Sequence, residues 1–516
     1  MSWQREVDEL RRREKLALEM GGPEKVERQK AQGKLTVRER IDQLIDAGSF
    51  HEIGRISGRA VYDDDGDLVE FVPANFLFGR ARVDGRTVVV TGDDFTVRGG
   101  AADASIHMKL VAAEKMANEL RLPLIRMIDG TGGGGSVKTL DAKNARTYVP
   151  FNPGWETVVD NLAQVPVVAL GLGPVAGLGA ARLVTSHYSL LVRKLGQMFV
   201  AGPPVVKRVG EDLDKEQLGG SHIHARNGAV DDEVESESEA FAAARRFLSY
   251  LPASVHELPP RGDREDDPDR REEFLIDVVP RDDRRVYKMR RIIEAVVDRG
   301  SWFEMGRRWG RSLVTGLARL DGWPVALLAN DPYQYAGGWT AAASQKATRF
   351  IELAETFHLP VIHLVDNPGF VIGLRAEQAA TIRHGARALA SVYQASVPWC
   401  SVLVRRTYGV AGAAHANASR FAYRYAWPSG DWGSLPMAGG IEAAYKAQLE
   451  QAEDPEALRR EIEQRLDAVR SPFRTAEAFL VEEIIDPRDT RPLLCEFANL
   501  AAPLRETGRR HFHLRP

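Results

Sequence analysis

The chain has 516 residues, enough for two to four domains with cores of their own. Its 44% hydrophobic and 27% charged residues are ordinary for a globular protein and exclude wholesale disorder or a fibrous repeat. With 69 basic against 72 acidic residues the net charge is -3, which gives none of the positive footprint a nucleic-acid binder needs.

The first thirty residues are charged throughout and read as exposed helix; they lack the apolar core of a signal peptide, so export is not expected. Only Cys400 and Cys495 occur, which argues against a zinc ribbon or a disulfide framework and for a reducing, cytoplasmic setting. Residues 41–54 (IDQLIDAGSFHEIG) read as a helix end and a turn into a strand, and the same order of acid, Gly-Ser, aromatic, Glu and Gly returns at 293–306 (IEAVVDRGSWFEMG). Residues 79–90 (GRARVDGRTVVV) read as a hairpin around Asp-Gly and return at 316–327 (GLARLDGWPVAL). The Pro-initiated apolar run 122–129 (LPLIRMID) returns at 359–366 (LPVIHLVD). The run from Val165 (VPVVALGLGPVAGLGAA) is matched from Val397 (VPWCSVLVRRTYGVAGAA). Residues 165–184 could span a bilayer by length, but two prolines, four glycines and Arg182 make them a buried strand and turn.

The spacing therefore predicts one α/β unit used twice, in residues 1–255 and 287–516. Between them, 256–286 carries the run RGDREDDPDRREE and reads as a solvated linker. Residues 448–469 read as an exposed amphipathic helix.

Four glycine-bearing loops follow predicted buried strands: GTGGGGS (130–136), GPVAGLGAA (173–181), NPGFVIG (367–373) and YGVAGAA (408–414). Glycine there lets backbone bend sharply and leaves N–H groups free to meet a developing anion. A tight strand-to-helix connection would use the same residues, but four such loops in equivalent places favour a site. Neither a GxxxxGK[ST] loop nor a dinucleotide fingerprint is present, and no GxSxG, HExxH or Cys–His arrangement supplies a catalytic side chain. His222 and His224 would share one face of a strand, without a third metal ligand nearby. No metal is expected. Oxyanion stabilisation by backbone, with the proton left to substrate or cofactor, is the chemistry these loops suggest.

These segments resemble the carboxyltransferase (β) subunits of biotin-dependent acyl-CoA carboxylases, the propionyl-CoA and methylcrotonyl-CoA carboxylase family. The resemblance is carried by GKLTVRERIDQLIDAGSF (33–50), LGGSHIHARNGAVDD (218–232), LVDNPGF (364–370), IRHGARAL (382–389), YAWP (425–428) and IIDPRDTRPLL (484–494). It implies two tandem crotonase-like domains, the N-terminal one holding acyl-CoA and the C-terminal one of a neighbouring subunit holding N-carboxybiotin. Carboxyl transfer would pass through a thioester enolate, with a second oxyanion on biotin. On the acyl-CoA side it implies catalytic backbone amides at Gly177 and Leu178, with Gly132, Gly133, Ala176 and Gly179 binding substrate. On the other side it implies catalytic amides at Val410 and Ala411, with Gly369, Phe370 and Gly409 holding the cofactor.

The sequence departs from the family in four places. Leu178 and Val410 each replace a second glycine, and the family's Asp-Ser-Gly-Gly-Ala-Arg segment is Asp129-Gly-Thr-Gly-Gly-Gly-Gly-Ser here. Ala413 stands where propionyl-type enzymes carry an Asp, which should widen the pocket toward longer or branched acyl chains. No Met-Lys-Met biotin-attachment site is found, so biotin is expected on a partner α subunit that also bears the biotin carboxylase. A homo-oligomer, a hexamer of two stacked trimers, is expected from the family. Enoyl-CoA hydration is disfavoured because Ala181 stands where that class needs a Glu. Decarboxylation, transcarboxylation and a non-catalytic CoA-binding subunit remain open.

Overall fold

The computed structural model describes residues 2–101, 104, 106–130, 146–147, 149, 151–417, 423–467 and 469–516. The chain divides into two units, Met1–Glu257 with Arg515–Pro516, and Leu258–Leu514. Each has an eight-stranded mixed sheet among the described residues.

In the first unit β1 (His51–Ile53) is followed by a separate hairpin of β2 (Gly58–Tyr62) and β3 (Leu68–Pro73). The main sheet continues with β4 (Phe76–Val83), β5 (Arg86–Asp93), β6 (Leu124–Gly130), β7 (Val167–Ala176), β8 (Tyr188–Val192), β9 (Gln197–Phe199) and β10 (Asp232–Val234). Its order is β1-β4-β5-β6-β7-β8-β10, with β9 paired to the end of β7. In the second unit β11 (Phe303–Met305), β12 (Leu313–Leu320), β13 (Trp323–Asn330), β14 (Val361–Asn367), β15 (Trp399–Tyr408), β16 (Tyr423–Ala426), β17 (Asp431–Gly433) and β18 (Glu483–Ile484) form a sheet ordered β11-β12-β13-β14-β15-β16-β18, with β17 beside the end of β15. The first hairpin of each unit is antiparallel and the strands after it are parallel. Every residue of β6 and β14 is buried, as continuous apolar runs in parallel strands require.

The sequence repeat has a physical reason at nearly every position. Asp46 and Asp298 accept the turn amides of the Asp-Gly hairpins, at 2.9 Å from Asp84 and Gly85 and at 3.1 and 2.8 Å from Asp321 and Gly322. Those turns need left-handed backbone at both residues, with φ 49° and 78° in one and 48° and 79° in the other, which is why Gly follows Asp. Ser49 and Ser301 donate their hydroxyls to the Asp46 and Asp298 carbonyls at 2.7 Å. Glu52 pairs with Arg38 at 2.9 Å and Glu304 with Arg290 at 2.6 Å. Gly79 and Gly316 lie where a Cβ would come within 2.2 Å of the His51 carbonyl and 2.4 Å of the Phe303 carbonyl, so the β1 and β11 edges can close only over glycine.

Three sequence expectations are revised. Residues 258–286 lie within the second unit: Arg261 and Arg264 pair with Asp321, Arg270 donates to the Ala295 and Val297 carbonyls, and Leu275 is in the core. The charges of the expected solvated linker are thus spent on ion pairs that fasten it. The single helix expected over 448–469 is two helices among the described residues, Lys446–Gln451 and Pro455–Asp467, because Pro455 starts the second. His222 and His224 lie on the helix Ser221–Asn227, which Gly228 ends in left-handed backbone (φ 82°); they share no strand face.

Among the described residues, no helix is long and apolar enough to cross a membrane.

Candidate active site

The two central strands β7 and β15 end alike. β7 passes through Gly177, at φ 59° and ψ -123°, into the helix Leu178–Val184. β15 passes into the short helix Gly409–Ala413, with Gly409 at φ 61°. Each strand therefore turns on a glycine in a conformation that L side chains avoid. Leu178 and Val410, the residues replacing the family's second glycines, have ordinary negative φ, so backbone geometry does not require glycine there. Their side chains are exposed, 39% and 55%, and stand on the rim of the turn.

The amide inventory sharpens the set of donors. The Gly177 N–H donates to the Phe199 carbonyl at 3.3 Å, since β9 runs alongside the end of β7. The N–H groups of Leu178 and Gly179, in the first turn of their helix, have no intrahelical acceptor. In the second unit the same holds for Val410 and Ala411. Gly179 is packed as well as polar, because a Cβ there would press on Val175 at 3.2 Å. Ala176 is half-buried at the strand end and Ala413 is exposed.

On the second unit the structure brings Gly369 and Gly409 together. Gly369 has φ 118°, its N–H donates to Asn367 Oδ1 at 3.0 Å, and a Cβ on it would lie 3.7 Å from the Tyr408 carbonyl. Asn367 Nδ2 in turn donates to the Ala411 carbonyl at 3.0 Å, tying the two loops. Phe370 is half-buried and packs over Gly385, with its ring edge-on to Trp339 at 6.4 Å. Gly132 and Gly133 lie outside the described residues.

At the end of β6 and at the equivalent place in β14 is a buried aspartate that sequence reasoning did not single out. Asp129, at the end of β6, is fully buried and meets Lys34 at 2.6 Å and Arg40 at 2.8 Å. Burial pulls the Lys34 ammonium below its usual value in spite of Asp129. Asp366, at the equivalent place in β14, meets Arg405 at 3.0 Å, Arg406 at 2.7 Å and the Tyr287 hydroxyl at 2.9 Å. Burial works against its charge, but the Arg406 and Arg405 guanidiniums outweigh it and hold the carboxyl below the usual range. Both carboxylates are saturated by cations and serve to anchor the loops. Asp93 differs: it accepts the Asp129 N–H at 3.1 Å, and burial pushes its carboxyl up to about 6. The second unit carries Asn330 there, which accepts from the Asp366 N–H at 3.3 Å and donates to the Gly337 carbonyl at 2.9 Å.

Apart from Tyr408, whose hydroxyl accepts from Arg470 at 3.0 Å, neither turn contains a titratable side chain, and among the described residues no group of three His, Cys, Asp or Glu could hold a metal. What remains at each turn is a set of free, fixed backbone donors at the carboxyl end of a central parallel strand. Such donors stabilise an oxyanion without exchanging a proton.

Residues 28–513 match the carboxyl transferase domain family. The chain is 32% identical to the propionyl-CoA carboxylase carboxyltransferase subunit of Haloferax mediterranei over 95% of both chains. It is also 32% identical to the methylmalonyl-CoA carboxyltransferase 12S subunit of Propionibacterium freudenreichii subsp. shermanii, over 97% of this chain and 95% of the relative. Against the methylmalonyl-CoA decarboxylase subunit alpha of Veillonella parvula it is 31% identical over 94% of each. The solved transcarboxylase 12S hexamer with methylmalonyl-coenzyme A and methylmalonic acid bound superposes at TM-score 0.87, with 29% identity, 100% of this chain and 99% of that one covered. A single-chain, multi-domain long-chain acyl-CoA carboxylase superposes at TM-score 0.79 and 26% identity, over 95% of this chain and 48% of that longer one. The crotonase-like fold that the family resemblance implies is the fold of these structures, and the chain belongs to the carboxyl transferase domain family, the carboxyltransferases of biotin-dependent acyl-CoA enzymes.

Proposed function

We propose that this chain moves a carboxyl group between N-carboxybiotin and the α-carbon of an acyl-CoA, holding the two oxyanions on the turns at Gly177 and Gly409. The observation that carries this reading is the duplicated strand–glycine–helix turn with free amide donors and no acid or base within it.

The acyl thioester oxygen is assigned to the Leu178 and Gly179 amides, since the Gly177 amide is engaged by Phe199. Gly177 fits the role of hinge: no atom of the described residues lies within 4 Å of where its Cβ would be. Val410 and Ala411 are assigned to the ureido oxygen of biotin, with Gly369 and Gly409 shaping the cradle and Phe370 supporting it from behind. The residues fit that ring system, because the positive φ of Gly369 and Gly409 keeps side chains out of the space between them. When bound, carboxybiotin supplies both the carbon dioxide and the nitrogen that takes the α-proton. The chain's own work is to fix the donors, exclude water and lower the energy of the enolate. One preorganised donor of this kind contributes about 3 to 4 kcal/mol.

Biotin is carried by a partner, a biotin carboxylase and carrier subunit, and the chain works in the cytoplasm within a hexamer of two trimers. Relatives of nearly equal identity are named as carboxylase, transcarboxylase and decarboxylase, so the direction of transfer is set by the partner. The exposed methyl of Ala413 favours a longer or branched acyl chain over propionyl. Purified protein given free biotin and a panel of malonyl-type CoA thioesters should decarboxylate them only when biotin is present. CoA binding without biotin-dependent turnover across the panel would leave a non-catalytic subunit.

A further inference from the structure

Between β13 and the glycine loops of the second unit, the chain makes a tight turn at Tyr335–Gly337. Tyr335 and Ala336 both have left-handed backbone, at φ 49° and 53°, although neither is glycine. Consecutive non-glycine residues in this region are strained, and such strain persists only where the surroundings enforce it. Here they do. The Gly337 and Gly338 amides donate to the Gln334 and Tyr335 carbonyls at 2.8 and 2.9 Å. Asn330 holds the Gly337 carbonyl at 2.9 Å, and Arg406, itself fixed by Asp366, holds the Ala336 carbonyl at 2.8 Å.

This restraint displays one side chain. The Tyr335 ring is 66% exposed, although burying an aromatic ring ordinarily stabilises a fold. Its place is also fixed relative to the loops described above. A Cβ on Gly338 would lie 3.1 Å from the Tyr335 carbonyl and 3.2 Å from the Gly369 carbonyl, and Gly369 in turn adjoins Tyr408 and the Gly409 turn. In the first unit the equivalent turn has Arg98 and Gly99 at φ 52° and 62°. The strained conformation is therefore retained in both units, while the displayed side chain differs.

We propose that Tyr335 is a specificity-determining residue of the carboxybiotin side, its ring packing against the planar ureido ring of biotin and orienting it over the Val410 and Ala411 amides. The inference rests on the assignment of the second unit to biotin. The restrained turn fixes the backbone from which the ring projects before biotin arrives, so no backbone freedom is lost on binding.

The test uses the full chain with free biotin and a malonyl-type CoA, comparing the parent with Tyr335→Gly and Tyr335→Phe. Tyr335→Gly should raise Tm by a few degrees, because glycine accepts the left-handed backbone, yet raise the KM for biotin about fivefold to tenfold. Its KM for the acyl-CoA should not move. Tyr335→Phe keeps the ring and should hold the biotin KM within about twofold of the parent. A biotin KM unchanged in Tyr335→Gly would overturn the inference, as would an equal rise in the acyl-CoA KM. Loss of the parental oligomeric state in Tyr335→Gly would overturn it in favour of a contact between copies. Absence of biotin-dependent turnover in the unsubstituted chain would overturn the functional reading beneath it, and that result is separate from the others.

Discussion

Gly177→Ala separates a donor set held by backbone geometry from one that merely has the right residues nearby. At φ 59° and ψ -123° an alanine carries about 1 to 3 kcal/mol of backbone strain. Among the described residues no atom lies within 4 Å of the new methyl carbon, so the resistance to the change comes from the backbone. The turn can relieve that strain by rotating the peptide that joins Gly177 to Leu178, and this peptide carries the Leu178 N–H. Loss of one preorganised donor then lowers kcat by roughly 10²- to 10³-fold, with a much smaller effect on the KM for acyl-CoA. Leu178→Gly is the counterpart: it removes a side chain that is 39% exposed and keeps the amide, so kcat should stay within about threefold of the parent. The assay is free-biotin-dependent decarboxylation with CoA thioesters, alongside a thermal melt of each variant. Parental kcat in Gly177→Ala, or an equal collapse in Leu178→Gly, would refute the reasoning.

Asp129→Asn leaves the buried Lys34 and Arg40 without their shared anion, and thermal or urea unfolding should show a loss of about 3 to 5 kcal/mol. Asp93 titrates at about 6 in the folded chain against 3.8 for an ordinary aspartate, so the folded state holds its proton more tightly than the unfolded state does. Stability from this group is therefore intact below about pH 4, falls as pH rises to about 6, and stays lost above that. Asp93→Asn should remove this slope and gain roughly 3 kcal/mol at pH 8, and equal pH profiles for parent and variant would contradict it. Ala413→Asp should shift the ratio of kcat/KM toward propionyl-CoA and against longer acyl chains, a change read directly in competition assays.

Much of the fold is legible in the amino-acid order because each repeated residue is tied to a backbone need. The Asp of the Gly-Ser segment, the Asp-Gly turn and the Glu that pairs with Arg38 or Arg290 recur since each satisfies a specific donor or acceptor in both units. The glycines at 177 and 409 are legible for the same reason, as the hinges of strand ends. Which amides stay free is not, because that depends on β9 passing beside β7 and taking the Gly177 N–H, and a three-residue strand leaves no periodic signal. His222 and His224 mislead through their i, i+2 spacing, which suits a strand face equally well until Gly228 is seen to end a helix. Asp93 is a residue that aligning the two halves would find, since it stands opposite Asn330. The strain at Tyr335 has no counterpart in composition or spacing at all.

Central to this mechanism is that the chain contributes oxyanion donors but no base. Incubating it with an acyl-CoA in deuterium oxide, with and without N-carboxybiotin, whose nitrogen becomes basic once carbon dioxide leaves, measures this at the α-carbon itself. Deuterium should enter only when N-carboxybiotin is present, and Gly177→Ala should suppress it. Rapid exchange without biotin would mean that a side chain of this protein takes the α-proton, and would contradict the mechanism.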